Sequence, residues 1–524
     1  MKTIKNHFPA WVIALLLFAL PLATYWNTTF HDFGLRDDYA NLREAEEEPG
    51  KIVKFTASHA RPIYGVLLQY SFAPIDSIEQ LEWLRLAGVA GLGLAAAALF
   101  GLLRRLDWRL PAAAFTAAML PLMPAAQIVA GWATAWPYTI AALLAIGGFA
   151  LAEGGAAEHR RFRQIGATLL VAISALTYQP NSLLYLVGIV AALPGRRNQS
   201  LPPNLRWIWT HLVIVLTGLA IALVTMKLLY AMGIFDASKR IAFEHDPIGK
   251  LGWFLREPLL NALNLFVLND DEAATWTAYT VSAGLSMLLL AAGVGIEGWR
   301  RGARAGSFWL MALAILPPAA FIANLAAAER FATYRTIFAL TAVLLIFLTL
   351  SWQNLCSLAG RNRRFIELPG YAFLLVMAIM LARTHAYVLI AIPQGEELQI
   401  LERVAARIVL REWPFRIYVV QPTPADSPSP ISYHDEFGAL STSGALAFGS
   451  DWAPKEMFKH LMRERFPQLP DRERRYQVQA GLKPPPKTES FDLIIDLRQI
   501  RNFGPLYAGP PASKMTMKGL DLLP

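Results

Sequence analysis

Two adjacent carboxylates, Asp37 and Asp38, followed by Tyr39, stand just past the first apolar run of this chain. Such a pair can supply a general base or a cation ligand, and mutual repulsion can raise one of its pKa values. It is also an ordinary helix start, because Asp is favoured in a first helical turn. Further polar groups recur near the ends of apolar runs: His59 and Arg61, Gln127, Trp132 and Trp136, Tyr178-Gln179, Glu329-Arg330, and Arg335. Arg335 lies inside an apolar run, where a charge is costly and is either functional or a snorkelling anchor. Acids and arginines gathered on one face would suit an anionic lipid phosphate and a hydroxyl acceptor.

The elements that must position these residues are membrane spans. Of 524 residues, 55% are hydrophobic and 17% charged, well below the roughly 25% charge of a soluble chain. The net charge of +9 sits in short clusters between apolar runs, a cytoplasmic-loop pattern that argues against a nucleic-acid partner. A lone Cys356 excludes an intramolecular disulfide and a CxxC pair. The stretch after Lys2 and Lys5 ends in Tyr25-Trp26 without a clean A-x-A site, so it reads as an uncleaved first span.

Candidate spans are 8–26, 83–103, 110–130, 132–152, 207–232, 276–296, 306–326, 333–355 and 368–391. The stretch 164–193 is either one long helix or two short ones broken at Tyr178-Gln179-Pro180-Asn181. Only the pair puts the clusters around Arg104, Arg160, Arg196, Arg300 and Arg363 on one side. The expected fold is therefore mainly α: a polytopic bundle of about eleven spans, N-terminus inside, with a small C-terminal α/β periplasmic domain. The membrane part is 1–391, with periplasmic loops 27–82 and 233–275, and the soluble domain is 392–524. An amphipathic stretch from Trp253 to Phe266 suits an interfacial helix. In the tail, strands are expected at Phe415–Val420 and Phe491–Leu497 and a helix at Pro454–Phe466.

Arg36-Asp37-Asp38-Tyr39 in the first periplasmic loop resembles the acidic hallmark of the GT-C superfamily of membrane glycosyltransferases. Ser58-His59-Ala60-Arg61-Pro62-Ile63 resembles the G-R-P-L segment of bacterial O-antigen glucosyltransferase-like members, with His-Ala in the glycine neighbourhood, and Tyr178-Gln179 resembles another of their motifs. The resemblance covers roughly residues 1–390. It implies a polyprenyl-phosphate-linked sugar donor, a glycan or protein acceptor and a periplasmic reaction at a bacterial inner membrane. Asp37 or Asp38 would be the base, with His59, Arg61, Tyr178, Gln179, Arg330 and Arg335 at the substrate. A divalent metal (Mg or Mn) at Asp37 and Asp38 is compatible with the sequence without being required by it.

Gly88, Gly91 and Gly93 lie within an apolar span and read as close helix packing, not a nucleotide loop. The polar run Tyr433 to Gly438 reads as a structural loop. Two rivals share the lipid-linked substrate: a transporter or flippase, which would carry charges near the midplane, and an O-antigen polymerase. Ionisable residues here cluster at span ends, with Lys227 the deepest exception.

Overall fold

The computed structural model describes residues 9–154, 159–196, 201–238, 242–268, 278–409, 414–420, 452–468 and 475–496. The Tyr433 to Gly438 run lies outside them. The chain opens with α1 (Ala10–Thr29), then the short helices α2 (Asp37–Glu47), α3 (Lys51–Ser58) and α4 (Pro62–Phe72). The bundle continues through α5 (Leu81–Arg105), α6 (Leu110–Met119), α7 (Pro124–Gly131), α8 (Pro137–Glu153), α9 (Arg160–Ser182), α10 (Tyr185–Ala192) and α11 (Leu201–Ala231). Two short helices, α12 (Pro247–Arg256) and α13 (Pro258–Leu263), precede α14 (Ala278–Arg301), α15 (Ala303–Ala319), α16 (Ile322–Ala326), α17 (Phe338–Cys356) and α18 (Arg363–Thr384). A π-helical stretch, His385–Ala391, leads directly into α19 (Ile392–Ala405).

Among the described residues six helical stretches are long and apolar enough to cross a membrane, or eight with each bent pair taken as one span. One of the six, Tyr334–Ala405, holds both α17 and α18. The chain is a multi-pass helical membrane protein. The expected straight span over 110–130 is bent by 50° between α6 and α7. Pro121 and Pro124 account for this, since each removes a backbone donor and obstructs the preceding turn.

The ambiguous stretch resolves as a broken pair. Tyr178 is extended (φ −155, ψ 104) inside α9, and α9 and α10 meet at 71°. Arg196, just past α10, comes 4.0 Å from Glu153 at the end of α8 and stacks over Trp207. The chain thus goes out along α9 and returns along α10 to the end where it began. The glycines behave as packing residues: a Cβ on Gly91 would stand 2.2 Å from Thr139 Oγ1, and one on Gly93 2.5 Å from the Phe18 carbonyl. Only a bare backbone lets α5 approach α8 and α1 this closely.

The expected interfacial helix of 253–266 is two helices, interrupted at Glu257 by Pro258. On α12, Lys250, Trp253 and Phe254 are buried while Ile248, Leu251 and Leu255 are exposed. The C-terminal elements are β1 (Phe415–Val420), α20 (Trp452–Arg465), β2 (Tyr476–Gly481) and β3 (Leu493–Asp496), in a parallel sheet of order β2-β1-β3. Ile417 in the central strand faces Val478 on one side and Leu493 on the other. Strand β2 was not anticipated from the sequence. The last span runs through the π-helix into α19 without a linker.

Candidate active site

Helix α2 begins at Asp37 after Arg36, whose φ of 51 and ψ of −109 are costly for a residue with a Cβ. Asp38 explains why the chain accepts that turn. Its carboxylate is fully buried: Oδ2 accepts from the Leu35 N–H (2.9 Å), and Oδ1 accepts from the Thr134 N–H (2.8 Å) and Oγ1 (2.6 Å). Burial pushes this carboxyl up to about 6, against the pull of the Thr134 and Leu35 hydrogen bonds and the charge of Arg85. The pair is therefore not the exposed helix start that its sequence suggests. Asp38 ties α2 to the turn between α7 and α8, and Asp37 stands beside it, only partly buried, on the first position of the helix.

The loop leading into α2 is held by Arg85, buried at the start of the second turn of α5. Its guanidinium donates to three carbonyls, of Thr29 (3.0 Å), Phe33 (2.6 Å) and His31 (2.6 Å), and stacks over the Phe33 ring. Tyr39 adds a closure of its own, its hydroxyl accepting from the Gly34 N–H and donating to the Gly34 carbonyl.

Arg61 and the Tyr178-Gln179 pair, distant in sequence, are in contact. Arg61 Nε donates to Gln179 Oε1 (3.0 Å), its guanidinium lies 4.7 Å over the Tyr178 ring, and Gln179 Nε2 donates to the Ala60 carbonyl (2.7 Å). Tyr178 stacks on Tyr138 (3.8 Å), Tyr138 on Tyr64 (5.4 Å), and the Tyr64 hydroxyl donates to the Thr134 carbonyl (3.1 Å). The Tyr64 phenol is held well above its ordinary value, first by burial, with Asp37 raising it and Arg61 lowering it. A chain of contacts therefore runs from Arg61 through the tyrosines to the turn that holds Asp38.

Arg61 is presented by a helix end in which the Ala60 N–H donates to the Ala57 carbonyl and the Arg61 N–H to Thr56. This arrangement demands a left-handed residue next after the C-cap, where glycine is preferred. Ala60 fills that position with φ 61 and stands where the resembled segment carries glycine. The Cβ penalty of about 1–2 kcal/mol exceeds the chain entropy glycine adds to the unfolded state, about 0.4–1 kcal/mol. Ala60→Gly should therefore raise the thermal midpoint, with a gain of about 0.5–1 kcal/mol. A lower midpoint in purified protein would show that Ala60 carries no strain.

Arg335 sits on the single turn Tyr334–Ile337 that opens α17, its guanidinium 4.7 Å over Trp132 and 5.7 Å from the Phe331 ring. The expected helix start at this place is present, with Arg330 in the preceding loop. The two arginines part there: Arg330 pairs with Asp246 (3.6 Å) at the surface, while Arg335 turns to Trp132, two residues before Thr134. Lys250 fixes this loop by donating to the Ala327 and Glu329 carbonyls (2.7 Å each). His59 is the C-cap of α3 and its Nδ1 lies 2.9 Å from the Phe55 carbonyl. Gln127 is buried, donating to the Leu122 carbonyl and paired with His385.

The pair does not fit a shared metal. All the bonding described for Asp38 ties its two oxygens to Leu35 and Thr134, and the described residues hold no group of three or more His, Cys, Asp or Glu suited to a cation. Sequence reasoning missed Thr134, Tyr64 and Tyr138. It also missed Arg85, whose signal, an arginine in an apolar span, was visible.

No family model matches the sequence, and no curated protein sequence matches it. Among solved structures, the chain is similar to ArnT from Cupriavidus metallidurans bound to undecaprenyl phosphate, at 15% identity and a TM-score of 0.42 over 79% of this chain and 83% of that one. ArnT in the apo state is 16% identical, with a TM-score of 0.39 over 78% and 82% of the two chains. The archaeal oligosaccharyltransferase AglB from Archaeoglobus fulgidus, in complex with an inhibitory peptide and a dolichol-phosphate, is 12% identical with a TM-score of 0.38. That likeness spans 79% of this chain and 62% of the other.

Proposed function

We propose that this chain is a membrane glycosyltransferase that moves a sugar from a polyprenyl-phosphate donor to an acceptor hydroxyl. One observation carries the reading: a carboxylate, Asp37, opens a helix that Asp38 ties to the 132–136 turn, with Arg335 stacked over Trp132 of that turn and Arg61 joined to it through the stacked rings of Tyr178, Tyr138 and Tyr64. In the proposed reaction the acceptor oxygen attacks the anomeric carbon as its proton passes to Asp37. The bond from that carbon to the phosphate oxygen breaks on the opposite face, so the sugar inverts. The polyprenyl phosphate leaves as an anion, and Arg61 and Arg335 meet its charge with planar donors. Gln179 and Tyr178 orient Arg61. No step runs through a metal.

The site would lie on the periplasmic side of a bacterial inner membrane, with about eleven spans and the soluble domain from 392 outside. The direction of the helices supports this. Arg85 touches the loop before α2, while Arg104 and Arg105 end the same helix, roughly 30 Å away at 1.5 Å per residue. Arg196 lies 4.0 Å from Glu153, the last residue of α8, and within the field of Arg160, which supports one side for the basic clusters at 160 and 196.

The test is purified protein with a synthetic polyprenyl-phosphate sugar, following release of polyprenyl phosphate together with the glycosylated acceptor. Stoichiometric appearance of both is the expected result. Donor that crosses the bilayer with its sugar still attached would replace this reading with a flippase.

A further inference from the structure

We infer that the soluble unit positions the acidic helix, with Glu456 of α20 gripping Arg43 of α2 and so fixing the axis on which Asp37 stands. The inference rests on the reading of Asp37 as the base. Helix α2 is anchored at its start by Asp38 and by Asn41, whose Nδ2 donates to Thr134 Oγ1 (3.0 Å). Less than two turns after Asp37 comes Arg43, 8% exposed. Its Nη1 reaches Glu48 (2.7 Å) and Glu47 (3.5 Å), and its Nη2 lies 3.5 Å from Glu44. These neighbours already balance its charge from within the same segment.

The fourth carboxylate comes from 413 residues away: Arg43 Nε donates to Glu456 Oε2 (2.9 Å). Glu456 in turn binds Lys459 (2.8 Å), and on the same side of α20 Arg463 pairs with Glu46 and lies 3.7 Å from Glu47. Glu456 and Arg463 are seven apart, as are two turns on one helix face, and they meet Arg43 and Glu46/Glu47 in alternating sign. A slip of one turn toward the far end of α2 would set Glu456 against Glu46 and Glu47 and carry Arg463 beyond them. Charge alternation of this kind specifies register more than it adds stability. Helix α20 also packs on α19, which continues the last span, so α2 is held between the bundle at its start and the soluble unit at its far half.

The experiment uses full-length protein and two readouts, turnover and amide hydrogen exchange of residues 37–47. Glu456→Lys should raise exchange across that segment and lower kcat, each about tenfold, with the donor KM changed less than about twofold. Glu456→Gln, a milder change should the first variant fold poorly, should move both in the same direction. Cysteines at Glu46 and Arg463, in a Cys356→Ser background, allow a short bismaleimide to restore the tether in the Glu456→Lys protein. Cross-linking should return both readouts toward wild type. Unchanged exchange at 37–47, or a kcat loss that the cross-link does not repair, overturns the inference. Exchange that rises while Asp37→Asn remains fully active would leave the clasp standing and remove the base.

Discussion

Asp37→Asn is expected to lower turnover of the proposed transfer about 10²-fold or more while leaving thermal unfolding in place, because an amide keeps the size and loses the basic lone pair. The neighbouring change should do the opposite. In Asp38→Asn one carboxylate oxygen becomes an NH₂ donor. The side chain is enclosed by donors on both flanks, the Leu35 N–H on one and the Thr134 N–H and Oγ1 on the other. An asparagine can accept on only one flank, so a buried donor loses its partner at a cost of about 1–3 kcal/mol. The two substitutions thus separate chemistry from architecture within one dipeptide. Turnover and the thermal midpoint, measured on the same purified preparations, decide between them. Full activity in Asp37→Asn would reduce the acidic pair to a helix start with a structural tie. An unchanged midpoint in Asp38→Asn would show that the Thr134 contact does not hold α2.

Much of the scaffold was legible because it follows local rules. Pro180 and Asn181 announced the break that appears at Tyr178, and the alternative, an unbroken helix, conflicted with the placement of Arg160 and Arg196. The bend at Pro121 and Pro124 carried the same signal and was overlooked in favour of the hydropathy of the whole run. Strand β2 was also readable: Tyr476, Val478 and Ala480 alternate with Gln477 and Gln479, the period of a half-buried strand. The site was legible only in part. Asp37, Arg61 and Arg335 are visible as charges beside apolar runs. Which carboxylate is tied down is not visible, because it depends on Thr134, 96 residues away and chemically unremarked in the sequence. The same holds for Tyr138, whose ring joins Tyr178 to Tyr64, and for Arg43, whose partner Glu456 lies near the other end of the chain. Contacts at such separations leave no periodicity behind.

The other large effect is expected at Arg335. A snorkelling arginine needs only a long stem and a charge, and lysine supplies both. The geometry here asks for more. The guanidinium stands over the rings of Trp132 and Phe331, and the loop before its turn is held by the Lys250 bonds to the Ala327 and Glu329 carbonyls. Stacking on aromatic faces holds the guanidinium in place, and a planar fork can address two phosphate oxygens at once, which a compact ammonium does not reproduce. Arg335→Lys should therefore lower kcat/KM for the lipid-phosphate donor about tenfold or more, since a charge-assisted bond to an anion contributes about 1.5–3 kcal/mol. Membrane insertion and the thermal midpoint should stay near wild type. Arg330→Lys provides the contrast, because its partner Asp246 is an exposed carboxylate at 3.6 Å, an arrangement contributing about 0–1 kcal/mol. Activity against donor concentration in detergent-solubilised protein gives the answer. A wild-type curve for Arg335→Lys would make Arg335 an interfacial anchor and leave Arg61 as the only proposed phosphate ligand stacked at the site.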